Sequence, residues 1–494
     1  MPEGRMRRPW NTVGMIEVSD TNTDKPNLPT LGRDRSFYGM TVTQFLGAFN
    51  DNLFKQLVLL YCLDVKARSG ADYQSWAQAI FAIPFVLFSG MAGWLADRNS
   101  KRTIVVLAKV AEIVIMAMGM FVFLYGSDVP KETLMMLFVV LACMSLQSAF
   151  FGPPKYGILP ELFRDSDLSA ANGIFQMTTF VAIIMGGAIG GIGKEYLGDQ
   201  LWMMSAVCVV LAVIGTATSF LVRKTPTAYP GLKFEKSMLA MHHTVYRLLR
   251  NDIFLVKVLG VMALFWFLGG AMQLAANELG KLRLGLSDGR TSIVMSGVAF
   301  GIAVGCGAAA KLSHHRINFK LVVVGAWGIF VAMLMTTAIA NTAPIPDLSH
   351  LTEQALSVTN DASNLAESVA ELGLKLEDKE PVWRMLFVAS LHEWGIRLSL
   401  ALAGMAGGLL VVPLQVVIQT RPPDDMKGRV IGSMNLITWI GILGSAAFFG
   451  LSNTALKWIA TSQDLGYQPV EYVFAALALI ILPVALFYRP RLEE

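Results

Sequence analysis

The sequence predicts an all-α membrane protein with twelve transmembrane helices in two six-helix halves. Three observations carry this prediction. Of 494 residues, 54% are apolar and only 15% are charged, where a soluble globular chain carries about a quarter charged. Continuous apolar runs recur twelve times, each near the roughly 20 residues that cross a bilayer as a helix. None alternates apolar with polar in the way barrel strands do.

In chain order the runs are 37–63, 75–96, 103–125, 132–152, 167–193 and 200–222, then 253–279, 290–311, 319–340, 397–419, 428–451 and 468–488. Counted with the N-terminus inside, Lys and Arg divide 25 to 11 between inner and outer segments, with Lys55, Lys109, Lys257 and Arg397 inside spans. The positive-inside bias then predicts that both termini are cytoplasmic. The stretch through Asp34 is polar and lacks an apolar h-region, so the first span is expected to direct insertion itself. The expected organisation is a cytoplasmic tail (1–36), an N-terminal half (37–222), a basic cytoplasmic linker (223–252), a C-terminal half (253–488) and a short cytoplasmic tail (489–494).

The halves repeat weakly. Gly152-Pro153-Pro154-Lys155-Tyr156 precedes Asn172 in one, and Val411-Val412-Pro413-Leu414-Gln415 precedes Asn435 in the other, which suits parallel repeats. Between 341 and 382 the chain carries an insertion. Leu351, Ala355, Val358, Ala362, Leu365, Val369, Leu372 and Leu376 recur there in steps of four and three. That heptad stripe predicts an external amphipathic helix, packed on the protein's own outer surface or docking a partner.

The net charge of +4 is too small to suggest a nucleic-acid partner. Cys62, Cys143, Cys208 and Cys306 are widely spaced in apolar segments. No CxxC or Cys/His pattern suggests a metal or another cofactor, and the four read as free thiols.

Chemistry is concentrated where polar residues interrupt apolar spans, because an ionisable group at membrane depth is costly unless it meets a partner or water. The first span carries Phe49-Asn50-Asp51-Asn52-Leu53-Phe54-Lys55-Gln56. Asp51 and Lys55, four apart, share a helix face. They either pair with each other or contact a substrate or ion. The fourth span runs into Phe151-Gly152-Pro153-Pro154-Lys155-Tyr156-Gly157. Its prolines are expected to break the helix, leaving Lys155 to point inward at a phosphate or to snorkel to the interface. Asn52, Gln273 and Gln415 add hydrogen-bonding capacity. Asn277, Glu278 and Lys281 read as an outer gate or a solvated helix end. His392, Glu393 and Arg397 read as an interfacial anchor.

The segment after the second span reads Gly90-Met91-Ala92-Gly93-Trp94-Leu95-Ala96-Asp97-Arg98-Asn99-Ser100-Lys101-Arg102. It resembles the signature of the major facilitator superfamily, with Ser100 where the family has glycine. The resemblance implies a gating role for Gly93, Asp97, Arg98 and Arg102. Gly93 would allow close helix contact, and Asp97 would cap or pair with a neighbouring helix N-terminus. Arg98 and Arg102 would pair across the cytoplasmic face in the outward-open state. A second copy near Gly305-Cys306-Gly307, Lys311, His314, His315 and Arg316 lacks the acid and is expected to serve topology.

The phrases FLGAFNDNLFK (45–55) and PKYGILPEL (154–162) resemble the lysophospholipid transporter family within that superfamily, of the type often joined to acyltransferases. The likeness extends over all twelve spans but not the N-terminal tail or the 341–382 insertion. It implies inward movement of lysophosphatidylethanolamine or lysophosphatidylglycerol across the bacterial inner membrane by alternating access, with an acyltransferase as a possible partner. It also implies headgroup binding by Asp51 and Lys155. Many members carry arginine where this chain has Gln273, which removes one positive charge from the expected site. Lys55 is a candidate to supply it. The alternative reading is a facilitator of another amphiphilic or organic solute, with Asp51 as its proton site. A third, an acyltransferase, needs Asp five residues after a histidine. Arg247, Leu248, Phe319, Lys320, Ala355 and Arg397 stand there instead, so no enzymatic activity is expected.

Overall fold

The computed structural model describes residues 29–126, 130–164, 167–226, 243–313, 318–345, 380–422, 427–462 and 468–489. The heptad stripe of the insertion, most of the tails and linker, and His314, His315 and Arg316 lie outside the described residues.

In the first half, α1 is Arg35–Ser69, α2 Gln74–Arg98, α3 Lys101–Tyr125, α4 Pro130–Gly157, α5 the single turn Leu159–Leu162, α6 Leu168–Leu197 and α7 Leu201–Ser219. In the second, α8 is the short His243–Asn251, α9 Ile253–Glu278, α10 Asp288–Ser313, α11 Lys320–Thr342, α12 the short Val382–Phe387, α13 Leu391–Thr420, α14 Lys427–Ser462 and α15 Glu471–Phe487. Among the described residues, ten helices are long and apolar enough to cross a membrane. The 35-residue α1 is held below that apolarity by its run of polar residues. The 17-residue α15 is apolar but shorter.

Local chemistry sets the ends of α1. Asp34 caps it by accepting a hydrogen bond from the Ser36 N–H at 2.8 Å. Gly70, in the left-handed region at φ 69°, closes it. Contrary to expectation, Pro153 and Pro154 do not break α4, which continues to Gly157. Their missing N–H groups free the carbonyls of Ala149 and Phe150 without ending the helix, as membrane helices tolerate where neighbours cover the backbone.

The two halves pack by the same plan. In the first, α1 pairs with α6, α2 with α4, and α3 with both α7 and α4. In the second, α9 pairs with α14, α10 with α13, and α11 with both α15 and α13. The contacts between halves are also symmetric, α6 with α10 and α2 with α14. The helix pair α10 and α13 is built from two facing small-residue stripes, Gly301/Gly305 and Gly404/Gly408. A Cβ at Gly404 would stand 3.0 Å from the Ile302 nitrogen, and one at Gly408 2.6 Å from the Cys306 nitrogen. Glycine spacing of this kind lets backbones approach where lipid offers no hydrophobic drive for helix association.

The face on which α1 begins and α15 ends is called here the tail face, and the other the far face.

Candidate functional site

The site is built on α1, whose position is set by glycines of α6. A Cβ at Gly190 would stand 2.9 Å from the Leu53 carbonyl oxygen, and one at Gly186 3.2 Å from the Asn52 Cβ. This contact holds the polar stretch of α1 against α6. Asn52 is spent locally, donating to the Ala48 carbonyl at 2.7 Å.

Asp51 and Lys55 do not pair with each other. Ser148 of α4 donates to one Asp51 carboxylate oxygen at 2.6 Å. The other oxygen is buried and has no partner. Lys55 reaches across to the second half, donating to the Gln273 side chain at 3.0 Å, with its ammonium 4.8 Å above the Phe81 ring. Lys155 is buried and turned inward. It donates to Thr179 at 3.1 Å, and Thr179 donates to Gln44 at 2.8 Å. Gln44, Asp51 and Lys55 lie seven and then four residues apart on α1, about 10 Å and 6 Å of helix rise. Their partners therefore form a ladder of Lys155, Asp51 and Lys55 from the tail side towards the far side. Gln415 is half-buried on α13; no contact ties it to this ladder.

Behind Asp51 lies a pair that sequence reasoning missed. Lys109 and Glu112 of α3 form a fully buried ion pair, to which Asn50 donates at 2.9 Å. Glu112, Lys109 and Lys155 all act electrostatically on Asp51. The signal was present, a lysine and a glutamate three apart within an apolar span, which share a helix face.

At the far face the halves are joined by charge. Asp64 and Lys194 of the first half interleave with Lys281 and Asp288 of the second. Lys194 meets Asp64 at 2.6 Å and Asp288 at 2.5 Å, Lys281 meets Asp64 at 2.5 Å, and Lys281 also bonds Asp288. Nearby Lys66 pairs with Glu278 at 2.7 Å, and Gln56 donates to Asn277 at 3.1 Å. Asn277 and Glu278 are buried between the halves rather than solvated. Glu393 and Arg397 belong to a related cluster, in which Arg290 bridges Glu393 at 2.8 Å and Glu380 at 2.6 Å. The hydrogen bonds from Arg290 hold the Glu380 carboxyl below its ordinary range.

The signature residues sit at the tail face and engage their own half. Arg102 donates to the Val222 carbonyl at 2.6 Å and the Phe220 carbonyl at 3.3 Å, just past the C-terminus of α7. Arg98 lies over Trp94, Asp97 is exposed, and a Cβ on Gly93 would meet nothing within 4 Å. Among the described residues, Arg98 and Arg102 make no cross-half ion pair in this far-face-closed arrangement. Phe85 stacks on Trp439 of the second half at 3.7 Å between ring centres, a cross-half contact midway along α2. Among the described residues no group of three His, Cys, Asp or Glu could hold a metal ion.

Two like-packed helical halves, clamped at one face around buried, unpaired charges, define a membrane transporter. The Major Facilitator Superfamily profile matches residues 38–352, and the chain belongs to that superfamily. It is 28% identical over 300 residues to the lysophospholipid transporter LplT of Yersinia pestis (strain Pestoides F), covering 59% of this chain and 67% of that protein. The LplT of Yersinia pseudotuberculosis serotype O:3 (strain YPIII) matches to the same extent. In fold the chain is similar to the nucleoside transporter NupG (TM-score 0.60, 13% identity, 91% of this chain and 98% of that one). It is also similar to the xylose transporter XylE from E. coli in its inward-open conformation (TM-score 0.59, 11% identity, 93% and 98%).

Proposed function

We propose that this protein moves lysophospholipids of the lysophosphatidylethanolamine or lysophosphatidylglycerol type inward across the bacterial inner membrane by alternating access. The observation that carries this reading is the pair of unneutralised charges on the inner wall of the first half. Asp51 keeps one carboxylate oxygen buried and unpartnered, and Lys155 is buried with the neutral Thr179 hydroxyl and Tyr156 ring beside it. Burying such groups without an opposite charge is costly, and a bound head bearing an ammonium and a phosphate offsets that cost. Asp51 meets the ammonium, Lys155 the phosphate, and Gln44, Ser148 and Thr179 supply hydrogen bonds. The single acyl chain needs only apolar walls or lipid. The similarity to LplT supports the same substrate class. On this reading both termini face the cytoplasm, where an acyltransferase partner would consume the product.

The halves exchange which face is closed. Here the far-face ion pairs hold them together, and among the described residues Asp97 and Arg98 make no ion pair with the second half. When the tail face closes, those two residues become available to it. The test is uptake of labelled lysophosphatidylethanolamine into cells lacking their own transporter. Saturable uptake that is lost in Asp51→Asn and Lys155→Ala at unchanged protein level is expected. Absence of uptake by well-expressed wild type would favour transport of another solute, with Asp51 as its proton site.

A further inference from the structure

Among the described residues, the buried basic side chains are neutralised with two exceptions. Lys66 pairs with Glu278, Lys101 with Glu161, Lys109 with Glu112, Lys194 with Asp64 and Asp288, Arg283 with Glu471, and Arg397 with Glu393. Lys55 and Lys155 are equally buried. Among the described residues they have no acid within 4 Å, and their hydrogen-bond partners are the neutral Gln273 and Thr179. The acid between them, Asp51, has no cation within 4 Å and bonds the neutral Ser148. The adjoining Lys109–Glu112 pair adds no net charge. The empty site therefore holds two positive charges against one negative, a surplus of one.

We propose that this surplus makes the site selective for lysophospholipids whose head is net negative, a phosphate bearing an uncharged hydroxylated group, over zwitterionic ones. The inference rests on the lipid-transport reading above and deepens it. A zwitterionic head adds no net charge and leaves the surplus buried in a low-dielectric bundle, whereas a monoanionic head cancels it. Position matters less than sign, because both lysines lie within a few helical turns of Asp51. Gln273 has a part in this arrangement. It holds Lys55 across the gap between halves as a neutral acceptor, and so leaves that charge available to the phosphate. The hydroxyls of an uncharged head can donate to the open Asp51 oxygen, which keeps Asp51 useful without an ammonium.

The test is transport of lysophosphatidylglycerol and lysophosphatidylethanolamine by the purified full-length protein in proteoliposomes, each assayed alone and in competition. Wild type should favour the anionic lipid by about tenfold in kcat/KM, the scale of one net charge acting at roughly 10 Å in a protein-like dielectric. Lys55→Met should bring the ratio to within about twofold of unity, and Lys55→Arg should preserve it. Asp51→Asn should raise the ratio, because the zwitterion loses its ammonium partner while the surplus grows to two. If Lys55→Met fails to fold, Lys55→Gln reports the same loss of selectivity. A wild-type ratio near one, or favouring the zwitterion, would overturn the charge inference while leaving lipid transport standing. Transport of neither lipid by folded wild type would instead overturn the reading on which it rests.

Discussion

Replacing Asp288 by asparagine removes one acid from the far-face quartet. Lys194 and Lys281 are then left to share Asp64, and one positive charge between the halves is uncompensated. Side chains here are 6–15% exposed, so solvent screens little of the loss. Removing one partner of a fully buried pair costs roughly 3–5 kcal/mol, and the partial exposure reduces this to about 2–3 kcal/mol. Because Asp64 and Lys194 belong to one half and Lys281 and Asp288 to the other, the loss falls on the far-face-closed arrangement. The conformational equilibrium should shift by roughly 30- to 150-fold towards far-face opening. The assay is a spin-label distance between cysteines placed at Ser69 and Thr461, exposed positions on the far-face ends of α1 and α14, in a background without the native cysteines. Asp288→Asn should lengthen the dominant distance. Adding Lys194→Met, which leaves a charge-balanced Asp64–Lys281 pair across the halves, should return it most of the way. An unchanged distance distribution in the single variant would refute the claim that these ion pairs hold the far face shut.

Further outcomes follow from the helix packing and from the buried ion pair of α3. Gly404→Leu should lower the melting temperature, since a Cβ there already crowds the α10 backbone and overpacking costs roughly 1–3 kcal/mol. Gly307→Ala, which would meet nothing within 4 Å, should be silent in the same thermal shift assay. Lys109→Met should destabilise strongly, by roughly 3 kcal/mol or more, because Glu112 becomes a lone buried charge. The double variant Lys109→Met with Glu112→Leu should recover much of that loss, and equal melting of the single and double variants would contradict the pairing.

The helices were legible because their apolar runs are long, and most observed ends fall within a few residues of the expected ones, although α14 runs eleven residues further, to Ser462. The polar stretch of α1 stood out for the converse reason, as charge at membrane depth. Pairing within that stretch was not legible. Asp51 and Lys55 have the spacing of a salt bridge, yet Ser148 and Gln273, from α4 and α9, take them instead. Spacing along one helix cannot weigh partners brought in by another. The far-face quartet joins Asp64 to Lys281 and Lys194 to Asp288, residues that only the meeting of the halves makes neighbours. The run to Pro154 misled because proline is a breaker in water, whereas α4 carries its two prolines within a packed bundle. The sequence allows Lys155 either to point inward or to snorkel; its burial and its bond to Thr179 place it inward.

On the proposed function, the unpaired charges of Asp51 and Lys155 hold the head of a lysophospholipid, and this binding is open to direct measurement. Its most direct test is flipping of a fluorescent lysophosphatidylethanolamine by purified protein in liposomes, read by albumin extraction from the outer leaflet. Wild type should protect the lipid from extraction at a protein-dependent, saturable rate, and Asp51→Asn and Lys155→Ala, folded and reconstituted equally, should abolish that protection. Undiminished flipping in both variants would contradict the account.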